Sequence, residues 1–166
     1  MFEHCIALLK ERGVNIQDIN DCVMYLQKDH ETGVTNDEVS ETVNSIIQKR
    51  EVQHAIMTGI ALDKAAEQHI LDDKILEDII NRDESLYGID EVMAYGICNL
   101  YGSIALTNFG FIDKDKFGII KELNDHKDNP NICHTFLDDI VGAIAASAAS
   151  RIAHNQREVV GSKDAK

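Results

Sequence analysis

From Val92 to Ile112 the chain carries no charged residue, and Glu91 and Asp113 bracket the gap. A run of that length matches a membrane span, which needs roughly 20 apolar residues. Its polar content points elsewhere. Asn99, Ser103, Thr107 and Asn108 would each need a partner in lipid, while Gly96 and Gly102 suit close packing between helices. The segment is therefore expected to be the central buried helix of a bundle, with no transmembrane segment. Peripheral contact with a membrane stays open.

The rest of the chain supports a helical reading. Its 166 residues are 44% hydrophobic, enough for one domain with a core of its own. One proline and ten glycines leave little turn chemistry for an all-β chain. Apolar residues recur at helical spacing at Cys5, Ile6, Leu8 and Leu9, with Gly13 placed to end the helix, and again at Ile16, Ile19, Val23 and Leu26. Thr35 and Glu38 form a capping box ahead of Val39, Val43, Ile46 and Ile47. A long helix follows from Arg50 with Gly59 at its middle, and Asp72 or Asp73 can cap the short KILEDIINR segment. A shorter helix runs from Asp113 to Asn124, a polar loop from Asn124 to Asn131 holds the proline, and a last helix rich in alanine and serine runs from about Thr135 to His154. The expected architecture is all-α, a single compact bundle of seven or eight helices over residues 1–154, with residues 155–166 as a frayed tail.

Charge narrows the partners. Twenty-nine acidic residues against 16 basic give a net charge of −13, and no Lys/Arg run exceeds two residues. Nucleic acid is excluded on that ground. Cys5, Cys22, Cys98 and Cys133 form no CxxC pair and read as reduced thiols rather than zinc ligands. The first residues lack a basic leader and a long apolar run, so a cytoplasmic location is expected.

Two acidic pairs interrupt apolar sequence: Asp90-Glu91 in YGIDEVMAYGI and Asp138-Asp139 in CHTFLDDIVGAIAA. Two readings fit. In one, the pairs are first-turn acids that complement helix dipoles, with Thr135 and Asp138 as a capping box. In the other, the pairs converge, and four negative charges then require raised pKa values or a cation among them. Oxygen ligands without histidine or thiolate select Mg²⁺ or Mn²⁺. His134, four residues before Asp138, reads either as a proton relay or as a histidine bonded to a carboxylate near the cap. Lys116 could hold a phosphate oxygen or be a solvated helix lysine, and one of Glu51, Asp63 and Glu67 could complete a metal shell. No GxSxG, P-loop, GxGxxG or CxxC pattern occurs.

At these residues the chain resembles a known family. DESLYGIDEVMAYGI, with Asp83, Asp90 and Glu91, resembles the segment of the phosphatidylglycerophosphatase A family in which an aspartate precedes a hydrophobic-x-Asp-Glu turn; FIDKDKFGII, with Asp113 and Lys116, is similar to its Asp-x-x-Lys segment. FLDDIVGAIAA, with Asp138 and Asp139, is similar to its C-terminal Asp-Asp signature. The match is closest to the soluble YutG-like or low-temperature-requirement-C-like branch, including REVQHAIMTGI and the run ending at Arg151. The chain departs from membrane-bound relatives by lacking their Gly/Pro-rich N-terminal segment and by placing Gly110, Phe117 and Gly118 where they have arginine and prolines.

The resemblance implies an all-α YutG-like fold and a Mg²⁺-dependent phosphatase (Mn²⁺ an alternative ion) converting phosphatidylglycerophosphate to phosphatidylglycerol. Asp90, Glu91, Asp138 and Asp139 would hold metal, Lys116 would neutralise the phosphoryl group, Asp83 would orient a ligand or the lysine, and His134 or a carboxylate would act as base. Two alternatives remain: a hydrolase of soluble phosphate esters or nucleotides, and a non-catalytic helical interaction protein. A homodimer is expected, joined through the last helix or the uncharged stretch.

Overall fold

The computed structural model describes residues 1–30, 33–125, 129 and 131–163, with side chains as far as Asn155. Among these residues there are nine α-helices and one 3₁₀ turn, with no strand. The helices are α1 (Phe2–Glu11), α2 (Ile16–Gln27), α3 (Asn36–Ile47), α4 (Arg50–Glu67), α5 (Lys74–Asn81), α6 (Ile89–Cys98), α7 (Ser103–Asp115), α8 (Ile119–Asn124) and α9 (Leu137–Lys163). The 3₁₀ turn, Asn99–Tyr101, joins α6 to α7.

Local chemistry sets many of these boundaries. Gly13, at φ 84°, ends α1, and the Val14 amide donates back to the Leu9 carbonyl at 2.9 Å. The Thr35–Glu38 capping box forms as the spacing suggests, and the Asp73 carboxylate accepts from the amides of Ile75 and Leu76 at 3.0 and 3.1 Å. All four cysteines are buried and free. Most of the polar loop around Pro130 lies outside the described residues. The α9 backbone continues as helix through Lys163, across part of the stretch expected to fray.

The centre of the molecule is not where the charge pattern suggests. The uncharged stretch is two helices, because Gly102 at φ 82° breaks it. Its outer face is open to solvent: Val92, Tyr95, Leu100, Leu106 and Phe111 are all exposed. Gly96 packs against nothing, since an added Cβ there would have no neighbour within 4 Å. The central helix is α9, in which every residue from Leu137 to Ser150 is buried. Low charge made the earlier segment look internal, but burial on all sides needs side chains small enough to admit neighbours on all sides. The sequence GAIAASAAS supplies that, and α2, α3, α4, α6, α7 and α8 all pack on α9. Helix α5 packs on α4, as does α1. None of the described helices is long and apolar enough to cross a membrane.

Two close approaches seat α9. A Cβ on Gly142 would lie 3.4 Å from the Phe109 ring of α7. A Cβ on Gly59 of α4 would collide with Ile140 and stand 3.0 Å from Phe136. Gly59→Ala is therefore expected to cost about 1–3 kcal/mol through overpacking. Gly96→Ala, in an open helical position, should instead stabilise by roughly 0.5–1 kcal/mol. Urea unfolding of the two variants beside the parent chain measures both.

Candidate metal centre

Gly88 takes a left-handed conformation (φ 66°) and starts α6, which puts Asp90 and Glu91 in its first turn. Asp138 and Asp139 occupy the first turn of α9. Helices α6 and α9 pack together, so both acidic pairs begin helices at one end of the bundle. The dipole reading and the convergence reading thus both describe part of the arrangement. Carboxylate oxygens of Asp90, Glu91 and Asp139 lie within 4.8 Å of one another. Asp138, turned about 100° from Asp139 around the helix, lines the same cleft but lies toward Lys116. Its Oδ1 accepts from the Asp139 amide at 2.9 Å, and its Oδ2 accepts from Lys116 Nζ at 2.9 Å. The four carboxylates divide three and one.

Lys116 ends α7 in the left-handed region (φ 49°) and turns its ammonium into the site. Its Nζ lies 2.5 Å from Asp113 Oδ1 and 3.9 Å from Asp139 Oδ1. Asp83, also left-handed at φ 49°, lines the same cleft from the turn after α5. The cleft has a volume of about 190 Å³ and is walled by Asp83, Asp90, Glu91, Asp113, Lys116, Asp138 and Asp139, together with Glu84, Ser85 and Asn124. His134 does not line it. That imidazole borders a small adjoining hollow, with Nδ1 3.4 Å from Arg12 Nη2.

The acids of α4 stand apart from the cluster. Glu51 is exposed. Glu67 forms a two-pronged pair with Arg12 at 2.7 and 2.8 Å, and also accepts from the Cys133 amide at 3.0 Å. Asp63, fully buried, accepts from the amides of Phe136 and Leu137 at 3.0 and 3.1 Å. It, and not the expected Thr135–Asp138 capping box, satisfies the start of α9; the Thr135 hydroxyl donates to the Ile80 carbonyl instead. The clue lay in the register of α4, where Asp63 continues the buried stripe of Val52, Ile56, Gly59 and Ile60.

The electrostatics of the cleft are severe. Burial first, then the neighbouring Asp138 and Asp113, push the Asp139 carboxyl up to about 10. Burial and Glu91 push Asp90 up to about 8. Burial raises Asp138 to about 6 against the opposing pull of Lys116. Lys116 itself is raised, because the carboxylates of Asp138 and Asp113 outweigh its desolvation. Asp90 Oδ1 and Glu91 Oε2 are buried without a hydrogen-bond partner. Unpartnered, hard oxygen donors beside a third carboxylate fit a small divalent cation such as Mg²⁺ or Mn²⁺.

These shifts set a pH dependence. Asp90 and Asp139 bind protons more tightly folded than unfolded, so their stabilisation is complete below the ordinary carboxylate range. It is lost as pH rises through about 8 and about 10. The Tm of the metal-free protein should fall between pH 6 and pH 9, and the rise produced by Mg²⁺ should be larger at pH 9. Asp139→Asn should flatten the metal-free pH dependence and abolish the Mg²⁺ increment, as followed by thermal denaturation.

The chain's relatives share this geometry's framework. The profile of the phosphatidylglycerophosphatase A family matches residues 15–154. The Bacillus subtilis protein YutG is 54% identical over 151 residues, covering 91% of this chain and 89% of YutG. The low temperature requirement C protein of Listeria monocytogenes superposes with a TM-score of 0.89 at 49% identity, over 94% of this chain and 96% of that one. A Bacillus stearothermophilus structure matches with a TM-score of 0.88 at 53% identity, over 93% and 94% of the two chains. The matched span takes in every wall of the acidic cleft, and the chain belongs to the phosphatidylglycerophosphatase A family.

Proposed function

We propose that this protein is a divalent-cation-dependent phosphomonoesterase, with Mg²⁺ as the expected ion and a phospholipid head group, phosphatidylglycerophosphate, as the substrate that family membership suggests. One observation carries the reading: the carboxylates of Asp90, Glu91 and Asp139 meet, two of them with unpartnered buried oxygens, in a cleft where Lys116 is the single cation among the described residues. Asp90, Glu91 and Asp139 are the residues placed to hold the ion. When bound, such an ion polarises a phosphoryl oxygen and makes an attacking water more acidic.

The remaining roles fall to the chain's own groups. Lys116, held by Asp113 and Asp138, presents an ammonium that neutralises phosphoryl charge. Asp138, whose carboxyl burial raises, is our choice for the group that takes a proton from water; His134, beside Arg12 and bordering the adjoining hollow with Asp138, is the alternative. Asp83 orients Lys116 or a ligand from the cleft wall. A net charge of −13 does not exclude an anionic substrate, because a cation bound among these acids reverses the local field.

Phosphate release in Mg²⁺ from phosphatidylglycerophosphate in mixed micelles, set beside release from glycerol 3-phosphate, tests both chemistry and substrate. Lipid turnover supports the reading as stated. Turnover of the soluble ester alone moves the substrate class, and no turnover of either leaves the non-catalytic alternative. Asp90→Asn, Asp139→Asn and Lys116→Met should each lower kcat by about 10²-fold or more. Lys116→Met should keep its Mg²⁺ affinity, whereas the two asparagine variants should lose it.

A further inference from the structure

Among the described residues Lys116 is the one cleft cation, yet it sits on a three-residue turn between α7 and α8 with two departures from helical backbone, one on each side of Phe117. Lys116 is left-handed at φ 49°, and Gly118 stands at φ 58°. A non-glycine residue persists in that region only where its surroundings hold it. The hold comes from α2, whose Tyr25 does not line the acidic cleft. The Tyr25 ring lies flat on the Phe117 ring, with centroids 4.0 Å apart and planes inclined by 2°. The Tyr25 hydroxyl donates to the Asp115 carboxylate, so Tyr25 touches the residue on each side of Lys116. Lys28 Nζ caps the other face of the ring at 3.9 Å. One turn earlier on the same face of α2, the Cys22 thiol donates to the Phe117 carbonyl at 3.7 Å. The same sulfur would stand 3.7 Å from a Cβ on Gly118.

We infer that Tyr25 is a positioning residue for phosphate binding: by clamping Asp115 and Phe117 it holds the left-handed turn that aims the Lys116 ammonium into the acidic cleft. Tyr25 does not line that cleft and acts only through Lys116. The inference rests on the proposed role of Lys116 toward phosphate. Removing the ring would let the turn relax toward right-handed helix and withdraw the ammonium, while Asp90, Glu91 and Asp139, carried on α6 and α9, keep their places.

The test titrates inorganic phosphate into the Mg²⁺-loaded chain by calorimetry, and Mg²⁺ alone in parallel. Tyr25→Ala and Phe117→Ala are expected to weaken phosphate binding by about tenfold or more, with Mg²⁺ affinity unchanged. Tyr25→Phe, which keeps the stack, should recover most of that loss. Tyr25→Ala combined with Lys116→Met should bind no more weakly than Lys116→Met alone. Parental phosphate affinity in Tyr25→Ala, or full additivity in the double variant, would overturn the inference while leaving the Lys116 role standing. Parental affinity in Lys116→Met would instead defeat the Lys116 role itself. Loss of Mg²⁺ affinity in both Tyr25→Ala and Phe117→Ala would mean that the clamp supports the whole site, which also overturns the inference.

Discussion

The Asp63 carboxylate, buried on α4, accepts the first amides of α9, and much else follows from that contact. A helix whose first turn is buried must satisfy its amides inside the protein, because water does not reach them. Asp63 does this from a neighbouring helix, although burial raises its carboxyl to about 7. Arg12 and Glu67 brace the approach, since Arg12 reaches the Cys133 carbonyl at 2.6 Å and Glu67 the Cys133 amide. Where α9 begins decides which way Asp138 and Asp139 point. A start shifted by one residue would turn each of them by about 100° and dissolve the three-carboxylate cluster.

The molecule also separates two uses of negative charge. Most of its acids are solvated, but Asp90, Asp138 and Asp139 are almost wholly buried. Three such groups around one lysine are tolerable only if protons or a cation neutralise them. That requirement links the fold to the proposed chemistry: packing the starts of α6 and α9 together is unfavourable unless something positive occupies the gap. Lys116 meets part of the demand from its strained turn, and Tyr25 holds that turn from α2.

The pairing of DE and DD within apolar helices, and their oxygen-only chemistry, were readable in the residues, as were the caps at Thr35 and Asp73. Two expectations failed for a shared reason. The uncharged stretch was expected at the core, and one of the two readings of the second acidic pair had Thr135 cap α9. Both inferences treat a segment by itself. Yet Val92, Leu106 and Phe111 are exposed because α6 and α7 turn only one face to α9, and Thr135 is diverted to the Ile80 carbonyl because Asp63 arrives from elsewhere. His134 likewise lies at helical distance from Asp138, but the chain ahead of α9 directs it toward Arg12.

Periodicity and composition thus determined an all-helical chain, capped helix starts such as those at Thr35 and Asp73, and two acidic pairs set in apolar sequence. These are local properties, set by side-chain spacing along one helix and by hydrogen bonds reaching three or four residues. Only the tertiary structure decided that α9 is the axis, that Asp139 joins Asp90 and Glu91 while Asp138 turns to Lys116, and that α2 holds the lysine's turn. Those outcomes depend on which helix arrives beside which. Contacts such as Asp63 to Leu137 or Tyr25 to Asp115 join residues far apart in the chain, where local pattern carries no information about direction.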